Sequence, residues 1–416
     1  MRSKLITQMR NEWKANLWLT IELLLVSVVA WYISDFCYVI FRNALSDRGF
    51  DISHTYLIDV QELTDKSPDW KEYKSYDESD ADRQEMLDRL ARRPEIEAVG
   101  LGNNARPYTG SNGGIQVMYP KDDTTRIYNQ YYTVRRMVTP GFVKVFRYTG
   151  TNGETPEQLA EMVERGEYLP SDNVLEHSGI RMSDLVGKEI YVNWDTINPV
   201  RVGASLNMIR YHDYEDWMNY SVVYKLPGLA WGNDWVVRVK DNMDHNFIEN
   251  LMADANKALR VGNYFVAGAV SMEDIRSNFQ RSSTNALRDF LIGMGFLMLN
   301  VFLGLFGTFW FRTQQRVREI AVRKATGATS RSILKRLLSE GILLLTIATV
   351  PAIIIDWVLA HYEFSKWASD GYFGWPRFLI SVGISYLLLL IMIIAGVSMP
   401  AYRAMKVNPA EALHDE

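Results

Sequence analysis

Four long apolar runs interrupt an otherwise mixed pattern of hydrophobic and polar positions along the chain. They cover residues 17–41, 290–311, 341–360 and 378–399, and each is at least 20 residues long. A helix of that length spans the hydrocarbon core of a bilayer, which is about 30 Å thick. The pattern therefore predicts an integral membrane α-helical protein with four transmembrane helices. The first run is too long for a secretory signal peptide, so we expect it to be an anchor.

Basic residues concentrate beside two of these runs and predict the orientation of the chain. Residues 1–16 carry a net charge of +3, and residues 312–340 carry +6. Short cytoplasmic segments are enriched in lysine and arginine, so both are predicted to be cytoplasmic. The predicted segments between and beyond the four helices are a cytoplasmic N-terminal tail at 1–16, an extracytoplasmic domain at 42–289, a cytoplasmic coupling loop at 312–340, an outer loop at 361–377 and a cytoplasmic tail at 400–416.

The insertion at 42–289, called the outer domain below, has a different pattern. Short apolar and β-branched stretches predict strands at 55–60, 115–119, 189–194, 221–225 and 235–240. Helical patterns interrupt them at 82–92 and 243–259, and Thr155 begins a third, because proline and glutamine follow it at the positions typical of a helix start. The outer domain is therefore predicted to be α+β.

Helix-compatible sequence extends beyond the second apolar run at both ends. No proline occurs from Ser277 to Arg323, and a continuous helix of that length would be roughly 70 Å long. This is about twice the apolar thickness of a bilayer. We expect one stiff rod that joins the outer domain to the cytoplasmic side.

The sequence lacks the patterns that nucleotide hydrolysis and common hydrolytic reactions require. It has no Gly-x-x-x-x-Gly-Lys-Ser/Thr loop and no His-Glu-x-x-His pair, and its six histidines are scattered. The single cysteine, Cys37, lies in the first apolar run, which excludes an intrachain disulfide. We expect no catalytic residue, no metal and no cofactor, and no nucleic acid among the partners.

The coupling loop carries a pattern that a basic stop signal alone does not explain. Four residues recur at helical spacing beside a cationic face, Gly327 can end that helix, and Thr329 or Ser330 can cap a second one. The recurring residues of the first helix are Val317, Ile320, Ala321 and Lys324. The loop is therefore predicted to fold as two helices around a glycine.

The same loop resembles the signature of MacB/FtsX-type permeases, the membrane subunits of mechanotransmitting ABC transporters. The residues that carry the resemblance are Arg316, Arg318, Glu319, Ile320, Arg323, Lys324, Gly327 and Ala328. The tail is similar to the closing motif of that family at 400–404 and 408–413. The order of one span, a large outer domain and three further spans is also similar. In the outer domain the resemblance is looser.

The resemblance implies a bacterial inner-membrane permease that works as a dimer with a second copy or a paralogue. It implies that a separate cytosolic ABC ATPase binds the coupling loop, and that exporters of this kind also use a periplasmic adaptor and an outer-membrane channel. The outer domain would be MacB-like, with a βαβ-rich lobe and a β-rich lobe inserted roughly at 105–230. The expected function is to pass ATP-driven motion to this domain for export or extrusion of a periplasmic substrate. The alternative is an FtsX-like membrane-anchored regulator that senses a ligand or activates a cell-wall hydrolase without moving cargo.

Small residues line one face of the second predicted transmembrane helix. Separated by 7, 4 and 3 positions, they are Gly293, Asn300, Gly304 and Gly307. Small side chains let transmembrane helices approach closely, and an asparagine can hydrogen-bond across the contact. Two interpretations are open: the face packs against other helices of the same chain, or it forms the seam of a dimer.

Membrane lipid is expected to surround the predicted spans, and three acidic residues lie inside these spans. They are Glu22, Asp35 and Asp356. Intramembrane carboxylates often have functional roles. All three lie within about six residues of a span end, where a side chain can reach the interface at low cost. The sequence leaves their role open.

Overall fold

The computed structural model describes residues 13–115, 117–122, 127–128, 132–213, 220–255, 257–362 and 374–406. Residues 1–12 of the predicted N-terminal tail, 363–373 of the predicted outer loop and the tail motif at 408–413 lie outside the described residues. The chain divides into two compact units. The membrane unit comprises Met1–Ala44 and Asn285–Glu416, and the sheet unit comprises Leu45–Thr284.

Helices form the membrane unit and flank the strands of the sheet unit. They are α1 (Trp13–Leu45), α2 (Tyr76–Ala91), α3 (Pro140–Val145), α4 (Pro156–Glu164), α5 (Phe247–Ala255), α6 (Met272–Phe279), α7 (Arg281–Gln315), α8 (Val317–Ala325), α9 (Ser330–His361) and α10 (Trp375–Lys406). In α1, α7, α9 and α10, the segments Leu17–Leu45, Arg281–Gln315, Ser330–His361 and Trp375–Met399 are long and apolar enough to cross a membrane. With the sheet-rich unit between α1 and α7, they fit a membrane protein with an inserted domain.

The four long helices pack together in alternating directions. The cluster around the first half of α1 contains Leu19, Leu23, Leu305, Phe309, Leu344, Leu345, Leu389 and Ile393. Trp31, later in α1, packs with Ala360 at the end of α9 and Phe378 at the beginning of α10. Phe36 contacts Phe290 near the beginning of α7, with ring centroids 4.1 Å apart. α1 and α9 therefore run parallel, and α7 and α10 run in the opposite direction.

The expectation of one continuous helix from Ser277 to Arg323 is wrong in detail, because α6, α7 and α8 are separated by single residues. Gln280 ends α6, and its N–H donates to the Arg276 carbonyl at 2.9 Å. Its backbone stays near the right-handed helical region, so α7 begins at once. Arg316 separates α7 from α8 in a similar way, with φ −100° and ψ 8°. The absence of proline permitted a long helix but did not require an unbroken one.

The sheet unit is built on a nine-stranded sheet with a separate three-stranded sheet. The strands are β1 (Thr55–Glu62), β2 (Ile96–Asn103), β3 (Gly113–Ile115), β4 (Met118–Pro120), β5 (Thr133–Val138), β6 (Leu169–Pro170), β7 (Glu189–Val192), β8 (Val200–Arg201), β9 (Ser221–Lys225), β10 (Asp234–Val239), β11 (Arg260–Val261) and β12 (Tyr264–Ser271). The large sheet has the order β11-β12-β1-β10-β2-β5-β9-β6, with β3 on β5, and the small sheet has the order β4-β7-β8. Only β5 and β9 pair in parallel among the described strands.

Two hydrophobic cores cover the faces of the large sheet. Alternating side chains of a strand point to opposite faces, so Val236 of β10 joins the core under α3 and α4, while Val237 joins the core under α2 and α5. β10 is buried along its whole length. The sequence of a strand that is covered on both faces is a nearly continuous apolar run, whereas a strand covered on one face alternates apolar and polar residues.

The predicted strands at 55–60, 221–225 and 235–240 are confirmed by β1, β9 and β10. The single strand predicted at 115–119 is wrong, because β3 ends at Ile115 in the large sheet and β4 begins at Met118 in the small one. The N-terminus predicted for α4 is confirmed: Thr155 Oγ1 accepts from Gln158 N–H at 3.4 Å, and Thr155 N–H donates to Gln158 Oε1 at 2.9 Å. The range 105–230, where a β-rich inserted lobe is predicted, contributes strands to both sheets. β4, β7 and β8 form the small sheet, whereas β5 and β9 lie in the large one.

Candidate coupling sites

The coupling loop folds as two helices packed on one another. Ile320 of α8 and Ile333 of α9 are both buried and contact each other, with Ala328 and Leu337 packed beside them. Gly327 has φ +95°, a conformation that residues with a side chain rarely adopt. Thr329 Oγ1 accepts from the Ser332 N–H at 3.3 Å and caps α9. The predicted helix-glycine-helix arrangement is confirmed.

Ion pairs hold α8 and the end of α7 against α9. Arg316 donates to both carboxylate oxygens of Glu340, at 2.9 and 2.7 Å, and both side chains are largely buried. Glu319 accepts from Arg323 at 2.6 Å and lies 3.9 Å from Arg336. Three predicted coupling residues thus act within the loop itself. The sequence analysis missed Glu340 and Arg336, since no local pattern connects residues so far apart in the chain.

The outward face of α8 consists of residues that the internal contacts leave on the surface. Arg318, Val322 and Ala325 are exposed and follow one another at spacings of four and three residues, so they share one face. Val322 is 49% exposed. Of the remaining predicted residues, Gly327 is exposed, Lys324 and Ala328 are half-buried, and Ile320 is buried. An exposed valine next to basic side chains is suited to contact with another protein.

The small-residue face of α7 is exposed within the membrane unit. Only 11% of the apolar window of α7 is buried, against 28% to 44% for the other three helices. A Cβ added at Gly293 or Gly307 would meet nothing within 4 Å, and one at Gly304 would meet only Glu22, at 3.7 Å. The Asn300 amide donates to the Phe296 carbonyl of its own helix at 2.8 Å. Among the described residues, the contacts within the chain therefore leave this face uncovered.

The three intramembrane acids have different surroundings. Asp35 is buried and accepts from Arg377 Nε at 2.9 Å and from the Ser381 hydroxyl at 3.1 Å. Glu22 accepts from the Thr308 hydroxyl at 3.3 Å. Asp356 is buried, and its Oδ1 has no hydrogen-bond partner among the described residues. Asp35 thus joins α1 to α10, which gives it a structural role.

A second candidate site, the linker junction, lies in the sheet unit and consists of Arg48, Tyr108, Asp213 and Arg276. Asp213 accepts from the Tyr108 hydroxyl at 2.7 Å and from Arg276 Nε at 2.7 Å, and it lies 3.3 Å from Arg48 Nε. Arg48 belongs to the segment that follows α1, and Arg276 belongs to α6, which precedes α7. One carboxylate therefore joins the two segments that connect the sheet unit to its flanking helices.

The backbone reinforces the linker junction. The Arg210 N–H donates to the Arg48 carbonyl at 3.0 Å. Gly49 has φ +72°, and a Cβ there would come within 1.9 Å of the Met208 carbonyl oxygen, so only glycine fits. The segment after α1 is thus fixed to the segment at 208–213.

Electrostatics keep Asp213 ionised. Burial alone would raise the pKa of Asp213, but the Tyr108 hydroxyl and the Arg48 and Arg276 guanidinium groups outweigh burial and lower it. The same carboxylate raises the pKa of Arg276 despite partial burial. The junction was not recognised in the sequence, because its members lie far apart and form no motif.

His212, next to Asp213 in the chain, is expected to make the free energy of unfolding depend on pH below 6.5. Burial, followed by the positive charge of Arg210, lowers its pKa to about 4. Below pH 6.5 the unfolded chain binds a proton that folded His212 does not, so stability is lost as the pH falls from 6.5 to about 4. We expect a loss on the order of 2–3 kcal/mol across this window. Urea unfolding of the full chain in detergent at several pH values, followed by tryptophan fluorescence, measures it. His212→Gln should flatten the slope, and an unchanged slope would contradict the assignment.

Comparison with known protein families gives a match to the C-terminal part of the chain. Residues 291–409 match the family model described as FtsX-like permease C-terminal. No curated protein matches the chain. The matched range contains most of α7, the coupling loop, α9 and α10. The match supports a membrane component of the FtsX/MacB type of ABC permease, a family whose members generally work with an ABC ATPase.

Proposed function

We propose that the chain is the permease subunit of a mechanotransmission-type ABC transporter. It converts the motion of a separate cytosolic ATPase into movement of the outer domain, for export or extrusion of a substrate outside the membrane. The observation that carries this proposal is the coupling loop, which lies inside the matched range and presents Val322 and Arg318 on an exposed helix face. In this proposal, both termini are cytoplasmic and the membrane is the bacterial inner membrane.

The path of motion follows from the contacts. The ATPase would bind the outward face of α8, and the Arg316–Glu340 pair and the Ile320–Ile333 contact make α8 and α9 move together. α7 ends one residue before α8, and it begins one residue after α6, which lies in the sheet unit. The linker junction would then pass movement of α6 to the segment that follows α1.

A second copy of the chain, or a paralogue, would cover the small-residue face of α7. Gly293, Gly304 and Gly307 leave open space there, which allows two helices to approach closely. In a symmetric dimer the same patch serves both partners. The periplasmic adaptor and the outer-membrane channel belong to the export version of this proposal.

The docking role of the coupling loop is tested with Val322→Glu. A carboxylate in place of an apolar side chain would be desolvated in the interface, so the ATPase should bind at least about tenfold more weakly, equivalent to 1.4 kcal/mol. Co-purification of the ATPase with the full-length permease measures it. Ser332→Glu, which adds the same charge at an exposed position of α9, is the control and should retain the ATPase. Full ATPase retention and full activity in Val322→Glu would show that the ATPase docks elsewhere.

A further inference from the structure

A row of buried polar side chains runs along one face of α1. Ser27, Trp31 and Asp35 follow one another at intervals of four residues, so they share that face. They are only 4%, 1% and 2% exposed. At 1.5 Å a residue the row is about 12 Å long, which is a large part of a bilayer core of about 30 Å.

α10 carries a matching row. Arg377, Ser381 and Ser385 also recur every four residues, and both serines are buried. The rows meet where Asp35 accepts from Arg377 Nε at 2.9 Å and from the Ser381 hydroxyl at 3.1 Å. Because α1 and α10 run in opposite directions, Ser385 lies further along the α1 row than Ser381 does. The two rows together are called the polar seam.

α9 adds Asp356 to the polar seam. Ile353 and Ala360 of α9 pack in one cluster with Trp31. Asp356 lies between them, three residues after Ile353 and four before Ala360, so it shares their face of α9. Asp356 is 3% exposed. The polar seam therefore joins three helices.

Three polar atoms of the seam have no hydrogen-bond partner among the described residues. They are Ser27 Oγ, Trp31 Nε1 and Asp356 Oδ1, and all three are buried. Unpaired polar groups are strongly unfavourable inside a bilayer. Water can bridge such atoms, since they comprise an indole donor, a carboxylate acceptor and a hydroxyl that does both. The polar seam is therefore suited to hold water.

The charged groups around the seam leave Asp356 uncompensated. The titratable or charged groups that flank it on the four long helices include Tyr32, Asp35, Arg288, Asp289, His361 and Arg377. Asp35 pairs with Arg377, and the groups on α7 and α9 are exposed. An ionised Asp356 would thus carry an unpaired charge inside the bundle, which is costly in a membrane.

We propose that Asp356 is a proton-binding site, which protons reach through water in the polar seam from the end marked by Asp35 and Arg377. A hydronium ion in the seam gives its proton to Asp356 Oδ1 and leaves as water. The carboxylate becomes a neutral carboxylic acid, which removes the unpaired charge.

A proton suits this site better than a metal ion. The described part of the chain contains no group of three histidine, cysteine, aspartate or glutamate residues that could hold a metal. The Trp31 indole is a donor and cannot bind a cation through its N–H. The inference stands apart from the proposed function, since proton uptake at Asp356 requires no ATPase.

Proton binding is tested by infrared spectroscopy of the full-length protein in lipid nanodiscs. A protonated carboxylic acid has a carbonyl band that a carboxylate lacks. The spectrum of the unaltered protein minus that of Asp356→Asn should contain this band at acidic pH. Asp356→Glu keeps the acid and should restore a band. Asp289→Asn, which removes an exposed carboxylate of α7, is the control and should leave the Asp356 band in place.

The route is tested by transfer into heavy water, because deuterium shifts the carbonyl band of an accessible acid. Ser27→Val replaces an unpartnered hydroxyl of the seam by an apolar side chain and should slow this shift at least tenfold. Thr346→Val removes an exposed hydroxyl of α9 outside the seam and should leave the rate unchanged.

Two results would overturn the proposal. If the unaltered protein and Asp356→Asn have the same carbonyl bands at every pH at which both stay folded, Asp356 binds no proton. If Ser27→Val and Thr346→Val both exchange at the rate of the unaltered protein, protons do not reach Asp356 through the polar seam.

Discussion

Leu287→Pro is expected to abolish the ATP-driven output of the outer domain while the protein still inserts and binds its ATPase. Leu287 lies in the second turn of α7, partly buried beside Phe36 and Met294. Proline there removes a helical hydrogen bond, clashes with the preceding turn and costs about 3 kcal/mol or more. The resulting kink lies far along α7 from the coupling loop, so ATPase docking should persist. ATPase-dependent transport or substrate release in matched membranes measures the effect.

Leu287→Ala is the matched control, because it removes a similar part of the side-chain contact and preserves the helix. It should have a mild effect. Full output from Leu287→Pro would mean that the outer domain is not driven through α7. The regulator that works without moving cargo would then be the better account.

Asp213→Asn should disconnect the two linker segments. The Asp213 side chain is 5% exposed, and its removal leaves Arg48 and Arg276 without their shared carboxylate. Loss of one partner of a buried ion pair costs about 3–5 kcal/mol, and the partial exposure of both arginines reduces this to roughly 2–3 kcal/mol. We expect a lower free energy of urea unfolding and, at a temperature where the variant stays folded, a loss of ATP-driven output.

Glu273→Gln is the control for this variant. Glu273 also pairs with Arg276, at 3.2 Å, but its side chain is 57% exposed. Exposed ion pairs contribute about 0–1 kcal/mol, so stability and output should hardly change. If Asp213→Asn loses stability but keeps its output, the junction only stabilises the fold and does not transmit motion.

The sequence predicted those parts of the structure that depend on residues close together in the chain. The four long helices follow from uninterrupted hydropathy, and the coupling loop follows from a helical repeat, a glycine and a capping threonine. Which face of α8 is exposed was not predictable, because it depends on Ile333 and Glu340 of α9.

Features that depend on distant residues were missed or wrong. β2 contains Gly100 and Gly102, which weaken a strand pattern. The structure explains Gly100, since a Cβ there would come within 2.4 Å of the Phe142 Cα in α3. The linker junction joins four residues from four distant segments, so no periodicity or spacing reveals it. The break at Gln280 likewise has no proline or glycine to mark it.

The most direct test of the account is the ATP-dependent movement of the outer domain. After Cys37→Ala removes the single native cysteine, Asp65→Cys places one spin label on an exposed part of the sheet unit. Double electron–electron resonance spectroscopy then measures the distance between the spin labels on the two copies of the permease, in the dimer purified with its ATPase. The account predicts distinct distance distributions in the nucleotide-free state and in the ATP state trapped with a non-hydrolysing ATPase. Leu287→Pro should remove that difference, and identical distributions in the unaltered α7 background would contradict the account.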